Sequence, residues 1–492
     1  MSSVLESEET VGRRRWLALA VVVAAQFMVV LDVAIVNVAL PSIQTDLNFS
    51  QESLQWVITA YALLFGGFLL LGGRMADLLG RRRLFIAGIL LFSVSSLLAG
   101  LAWSEGSLIV FRGAQGLGGA LLAPAALSIL TTTFEEGRER NIALGIWGAV
   151  SGSGAAAGVL LGGVLTSALS WSWIFFVNVP VGIALAAVSP FLVGESRAEL
   201  KHRHFDFTGA VTVTGGLMLL VYAMTRATEI GWGSTETIVL LVASGVLLLA
   251  FLGIEFRSKA PLMPMRIFKL RTLTGANVTS FLLGASLFSQ FFLLTLYMQQ
   301  VLHYSAIKTG LAYLGLTFTI IVLSGVAQAL VTKIGVRKIL PVGLLLAAAA
   351  LVFYARLPVH GSYFTDLFPL FILSAVGLAF AFVPMTIAAL MGVRQSDAGV
   401  ASGLLNTTQQ VGGAIGLAVA STIATTFTGR FVDSHPGSTA ASPAALLHGF
   451  EIAFYALAGL AALAAVAAAV LIESKPAEGE VLELEPAFEE AA

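Results

Sequence analysis

Two charged residues stand inside otherwise apolar runs, and they define the chemistry open to this chain. Asp32 lies in the run that begins at Trp16, and Arg112 in the run that begins near Ser107. A charge near mid-bilayer costs at least ~2.5–3.5 kcal/mol on insertion scales, so both should face the protein interior and serve a function there. A carboxylate that gives up and regains a proton couples a proton gradient to movement: an arginine partner favours its charged form, and loss of that partner favours the neutral form. The alternative is a fixed ion pair that only orders the bundle. The first run ends near Leu40, placing Asp32 about 12 Å from its outer end, and Arg112 lies roughly 8 Å into its own run. Both are therefore expected in the outer half, where a direct or water-bridged pair is within reach.

A second charged constellation is the stretch Gly72-Gly73-Arg74-Met75-Ala76-Asp77-Leu78-Leu79-Gly80-Arg81-Arg82-Arg83, between apolar runs that begin near Gln55 and at Leu84. It reads as a tight, charged turn between two helices. Gly73 and Gly80 permit close backbone approach and positive φ, and Asp77 precedes Arg81 by the spacing of an intrahelical ion pair. A gate element fits this frame better than a binding site.

Glycines Gly148 and Gly152, and Gly154, Gly158 and Gly162 with Gly163 beside it, recur at the four-residue spacing that gives a helix smooth ridges. Static packing and a sliding contact between two halves both satisfy that pattern. The amides Gln26, Asn37, Gln115, Asn178, Gln290, Asn406 and Gln410 lie within apolar runs. Singly each suits an interhelical hydrogen bond; as a set they are candidates to line a cavity with Phe27, Phe65, Phe288, Tyr297 and Phe382. Asp32 is the one carboxylate well inside a run, which favours neutral, zwitterionic or monocationic lipophilic substrates over dications.

The elements that position these residues are membrane helices. The chain has 492 residues, 57% hydrophobic and 11% charged, against roughly a quarter charged in a soluble domain. Fourteen runs reach the ~20 residues a span requires, at about 16–38, 55–75, 84–103, 107–131, 141–166, 173–193, 206–226, 237–256, 272–298, 306–330, 338–356, 364–391, 398–427 and 448–472. With the N-terminus inside, 22 Lys and Arg fall in inner segments and four in outer ones, which predicts both termini in the cytoplasm. Gly80-Arg81-Arg82-Arg83-Leu84 has an echo in Gly335-Val336-Arg337-Lys338-Ile339, and Phe111 to Leu130 lies over Phe371 to Leu390. This implies two six-helix halves, 16–193 and 272–472, after a cytoplasmic N-terminus 1–15. Between the halves, 194–271 holds an inserted helix pair with cytoplasmic linkers, and 473–492 is an acidic tail expected to be disordered.

Several motifs carry a resemblance to a known family. Leu31-Asp32-Val33-Ala34-Ile35-Val36-Asn37-Val38-Ala39-Leu40-Pro41-Ser42-Ile43, Gly73 to Arg83, Arg112-Gly113-Ala114-Gln115-Gly116, Gly148 to Gly163 and Trp171 to Pro180 together resemble the major facilitator superfamily. Within it the chain resembles the fourteen-helix drug:proton antiporter branch (EmrB/QacA type). The resemblance implies two six-helix bundles plus two inserted helices, proton coupling at Asp32 and Arg112, and a cytoplasmic gate at Gly73, Asp77, Gly80, Arg81 and Arg82. Two departures stand out: Leu78 occupies a position often basic in the family, and Gly158 is followed by Val159 where the fifth-helix motif has a Gly-Pro step.

The expected function is proton-coupled export of amphipathic small molecules by alternating access, as in multidrug or antibiotic efflux. The alternative is a carrier for a dedicated substrate, such as a secondary metabolite, a lipid or a proton-symported metabolite, and the missing Gly-Pro step favours it. An enzyme is not expected, since the six histidines are scattered and few acids are buried. No phosphate-binding Gly-x-x-x-x-Gly-Lys-Ser/Thr loop is present, so the proton gradient is the expected energy source, with no cofactor and no metal. The expected partners are the lipid bilayer, protons and a lipophilic or cationic small molecule, not nucleic acid, with the chain a monomer. Absence of cysteine excludes thiol chemistry. Alanine-, glycine- and arginine-rich usage points to a bacterium with GC-rich DNA, hence a multi-pass protein of the inner (cell) membrane.

Overall fold

The computed structural model describes residues 2–49, 51–54, 56–197, 206–258, 261–440 and 442–473; the side chains of 2–11, 51, 52, 152, 155, 156, 228, 229 and 306 lie outside that description. The described residues contain helices and no strand, as a bilayer demands of an open chain that must satisfy its own backbone hydrogen bonds. Fourteen long helices follow in order: α1 Ser2–Leu47, α2 Trp56–Leu79, α3 Arg81–Gly100, α4 Glu105–Thr133, α5 Arg138–Ala168, α6 Asn178–Leu192, α7 Phe207–Ile230, α8 Thr235–Glu255, α9 Arg271–Leu296, α10 Ala306–Ile334, α11 Val336–Tyr354, α12 Phe368–Leu390, α13 Ala398–Ser434 and α14 Pro443–Leu471. Among the described residues, thirteen spans are long and apolar enough to cross a membrane by composition. The remaining long helix is α5, 31 residues.

The ends of these helices follow from local chemistry. Ser104 accepts from the Ser107 backbone N–H, and the Ser107 hydroxyl accepts in return from the Ser104 N–H, which fixes the start of α4. Ser305 caps α10 with a single bond, its hydroxyl accepting from the Lys308 N–H. Helix α1 runs through Pro41 and stops at Leu47, where Asn48 turns left-handed with φ 55°. The sequence-based end near Leu40 is therefore too early.

The charged turn is also shorter than the sequence suggests. Helix α2 continues to Leu79 and α3 starts at Arg81, so the turn is Gly80 alone, with φ 112°. Its echo holds in detail: Gly335, φ 87°, is the single residue between α10 and α11. Only glycine takes that conformation without strain, so the same device joins the second and third helices of each half.

Helices α1–α6 pack together, as do α9–α14. The halves meet along two seams, α2 against α13 and α5 against α10. The inserted helices α7 and α8 pair with each other, and α7 lies on both α2 and α13, covering one seam from the membrane side. Most of the linker expected before α7, and the tail from 474 onward, lie outside the described residues.

Candidate functional site

Asp32, on α1, is fully buried and accepts three hydrogen bonds from two other helices. Arg112 Nη1 and Gln115 Nε2, both on α4, donate to Asp32 Oδ2 and Oδ1 at 2.7 and 2.8 Å. Asn178 Nδ2, at the start of α6, donates to Oδ1 at 2.9 Å. The Ser96 hydroxyl of α3 accepts from Gln115 and Asn178 at 3.1 Å each, and donates to the Phe175 carbonyl at 2.9 Å. All five polar residues are at most 2% exposed, so this is a dry network in which every hydrogen bond counts for more than it would in water.

Arg112 has partners besides the carboxylate. Its Nη1 donates to Gln115 Oε1 at 2.7 Å, its Nε donates to the Val57 carbonyl of α2 at 3.0 Å, and its guanidinium lies 4.4 Å from the Tyr61 ring centre. Neutralising Asp32 therefore does not leave the guanidinium without acceptors. The arrangement suits a carboxylate whose charge changes while its cation stays in place.

The pairing of Asp32 with Arg112 was open in the sequence and is observed. The depth argument behind it needs correction, because α1 continues fifteen residues past Asp32, or about 22 Å. The outer end of α1 thus extends well beyond the start of α4.

At the end that carries the basic loops, Asp77 is fully buried and bridges the halves. Its Oδ1 and Oδ2 accept from the Gly399 and Val400 backbone N–H groups, both at 3.1 Å. These are among the first donors of α13, which have no partner within their own helix, and a carboxylate there also meets the positive end of the helix dipole. Arg81 Nη2 donates to Asp77 Oδ1 at 2.7 Å and also to the Gln395 carbonyl. The ion pair is not intrahelical, as its spacing suggested: Asp77 lies in the last turn of α2, which ends at Leu79, and Arg81 begins α3. Gly73 is needed for contact and not for its φ, since a Cβ there would run into the Gly399 carbonyl. Arg82 donates to the Pro190 and Val193 carbonyls at 3.2 and 3.3 Å, tying α3 to α6.

Sequence reasoning missed a third layer at this end. Arg266, in the linker after α8, donates to both oxygens of Asp397 at 3.1 and 3.2 Å, just before α13. Glu255, at the end of α8, accepts from the Leu262 and Met263 backbone N–H groups at 3.1 and 3.0 Å. The inserted pair is thus wired to the helix end that Asp77 holds. Residues 131 apart leave no local signal in a sequence, and neither does the role of Ser96.

The glycines of α5 divide between two jobs. Cβ atoms on Gly154, Gly158 and Gly162 would lie 2.7–2.8 Å from Val30, Leu31, Ala34 and Ile35 of α1, in the same half. Gly148 and Gly163 instead face Val383 of α12 and Ile307 of α10, where a Cβ would meet side chains at 2.9 Å. Of the two readings of the glycine spacing, close packing within one half describes Gly154, Gly158 and Gly162, which dock α1, while Gly148 and Gly163 meet the other half. Gly152 lies in α5 outside the described side chains.

The amides likewise do not form one lining. Gln115 and Asn178 belong to the Asp32 network. Gln290 Nε2 donates to Ser374 Oγ at 2.8 Å, joining α9 to α12 as the neutral counterpart of the contact between α1 and α4. Asn37 and Asn406 donate to carbonyls of their own helices, Val33 and Ser402. Gln26 is buried with its Oε1 unpartnered among the described residues, and Gln410 is half-buried. Of the aromatic candidates, Tyr297 is fully buried and donates to the Pro358 carbonyl, and Phe27 lines an apolar groove beside α1.

Comparison with known proteins bears on family and fold. The sequence profile described as Major Facilitator Superfamily matches residues 22–417. The puromycin resistance protein pur8 of Streptomyces alboniger is 42% identical over 465 residues, 94% of this chain and 92% of that protein. The cephamycin export protein CmcT of Amycolatopsis lactamdurans is 40% identical over 444 residues, 90% of this chain and 89% of that one. The crystal structure of the human organic anion transporter MFSD10 (TETRAN) superposes with a TM-score of 0.64 over 94% of this chain and 99% of that chain, at 15% identity. That likeness concerns the fold.

Proposed function

This chain belongs to the major facilitator superfamily, and we propose that it exports amphipathic small molecules, antibiotics foremost, in exchange for protons. We place it in the fourteen-helix drug:proton antiporter branch (EmrB/QacA type), in the cell membrane with both termini cytoplasmic, as a monomer with the proton gradient as its energy source. The observation that carries the reading is the Asp32 network, where a fully buried carboxylate faces an arginine that keeps two neutral acceptors of its own.

The helix contacts supply a route from charge to movement. Protonation of Asp32 weakens the hold of α4 and α6 on α1. Helix α1 is docked on α5 through Gly158 and Gly162, and α5 faces the other half through Gly148 and Gly163. A change at Asp32 therefore reaches the α5–α10 seam through one intervening helix. At the opposite seam, Asp77 holds the start of α13 in the arrangement closed toward the basic loops. Substrate would leave from the far side, and opening this latch would readmit substrate from the cytoplasm.

The two relatives are each named for a single antibiotic, which also favours a second reading, a carrier dedicated to one secondary metabolite. Efflux of a lipophilic cationic dye and of puromycin from intact cells, with and without a protonophore, tests both. Protonophore-sensitive efflux that is lost in Asp32→Asn at equal surface expression is expected. Concentrative export by Asp32→Asn would overturn the coupling role, and export of puromycin without any dye would select the dedicated carrier.

A further inference from the structure

An apolar groove of about 660 Å³ runs along the outside of the first half, with α1 as its floor and α5 and α6 as its walls. The floor is one face of α1, from Trp16 through Ala20 and Phe27 to Leu31; Val150 of α5 and Val181 of α6 line the sides. Helix α5 packs on α1 and α10, and α6 on α1 and α3, so the groove opens away from both seams, toward lipid. Fifteen residues of α1 span about 22 Å, enough to carry a chain from the basic-loop interface through the ~15 Å hydrocarbon depth of one leaflet.

The two ends of the groove differ in chemistry. Trp16, 37% exposed, marks the outer lip, and tryptophan settles at the headgroup level. Arg13 lies three residues before it on the same helix face, and Arg13, Arg14 and Arg15 are all exposed. Arg14 Nη2 donates to the Phe191 carbonyl at 2.9 Å, drawing the arginines to the α6 wall. At the inner end stands Asn178, the one polar residue of the lining, whose Nδ2 bonds Asp32 and Ser96. Basic at the interface and apolar to mid-membrane is the complement of an anionic phospholipid.

We propose that the groove holds one acyl chain of an anionic phospholipid of the cytoplasmic leaflet, with its phosphate at Arg13–Arg15 and its chain end against Asn178. The bound chain packs against the residue that links the groove to Asp32 and keeps water from the carboxylate on that side. This sealing role rests on the proton-exchange reading; the binding itself does not.

Lipid counting separates the two. Full-length protein is equilibrated in mixed micelles of phosphatidylethanolamine with a minor share of phosphatidylglycerol, and the phospholipid retained after purification is identified by native mass spectrometry. Wild type is expected to keep one phosphatidylglycerol. Ala20→Trp, which fills the floor from an exposed position, should lower that occupancy about tenfold, and Arg13→Gln with Arg15→Gln should abolish the preference for the anionic lipid. Val246→Trp, on the exposed face of α8, should change neither. Occupancy that survives Ala20→Trp, an anionic preference that survives loss of the arginines, or stoichiometric displacement by a lipophilic dye would each overturn the proposal. Sealing is read as proton leak without substrate in phosphatidylethanolamine/phosphatidylcholine vesicles: leak should fall when phosphatidylglycerol is added and vanish in Asp32→Asn. Lipid retention with no such change in leak would overturn the sealing and leave the binding standing.

Discussion

Asn141 on α5 donates to Thr332 on α10 at 3.2 Å, and Thr332 occupies the position of Asp77 when Gly335 is laid over Gly80. The two seams between the halves are thus related by the repeat but differ in chemistry. One closes on a buried carboxylate; the other has a hydroxyl and an amide, with an exposed carboxylate, Glu136, accepting from the Gly392 backbone N–H at 3.2 Å beside them, where solvent screens it. Hydrogen bonds to a charged group contribute about 1.5–3 kcal/mol, and neutral ones about 1 kcal/mol. The α2–α13 seam is the stronger latch.

Asp77→Asn is therefore expected to open that latch, and Thr332→Val to act weakly. The chain contains no cysteine, so Ser402→Cys, at a fully buried position of α13, gives a clean reporter of opening. A loss of about 2 kcal/mol corresponds to roughly thirtyfold faster labelling by a water-soluble maleimide. Equal labelling in the two variants would show that the seams share the load.

The Asp32–Arg112 pair should respond unequally to loss of its two members. Asp32→Asn leaves Arg112 with the Val57 carbonyl and Gln115 Oε1, so the protein should fold and lose only coupling. Arg112→Ala leaves a buried carboxylate facing two amides, a change expected to destabilise the fold by about 3–5 kcal/mol. Thermal unfolding of both variants in detergent distinguishes them. Comparable melting temperatures would mean that the carboxylate is satisfied without its arginine.

Gly158→Ala and Gly163→Ala should likewise part company. The first places a methyl 2.7 Å from the Leu31 carbonyl, beside Asp32 itself, and backbone cannot yield as a side chain can. Overpacking there is expected to cost about 1–3 kcal/mol and to lower proton-driven efflux by displacing Asp32. The second meets only the Ile307 side chain, and stability should hardly change. A stability loss in Gly163→Ala as large as that in Gly158→Ala would contradict this division of the ridge.

How much of this was legible in the sequence depends on the range of each interaction. Helix number followed from hydropathy, and the one-residue turn at Gly80 left a readable echo at Gly335, because both are local. Asp32 and Arg112 stood out because burying charge in an apolar run is expensive wherever the partner lies. Facing was not legible. The four-residue glycine spacing is the same whether a ridge meets α1 or α10, and Asn37, Asn406 and Gln115 look alike until the helices are packed. The spacing of Asp77 and Arg81 suggested one helix, because nothing local shows that a glycine has broken it. Arg266 and Asp397 carry no pattern at all, since two chain segments meet there only in the folded state.

That last contact gives the inserted helices a testable part in gating. Arg266 and Asp77 act on the same end of α13, one through Asp397 and one through Gly399 and Val400. Arg266 is 39% exposed at its side chain, so solvent screens it, and Arg266→Gln alone should shift opening by about 0.5–1 kcal/mol. Combined with Asp77→Asn, the effect on Ser402→Cys labelling should fall short of the product of the single effects, because an end already released by one change has less left to lose. Strict additivity would place Arg266 outside the gate and reduce the linker after α8 to a tether.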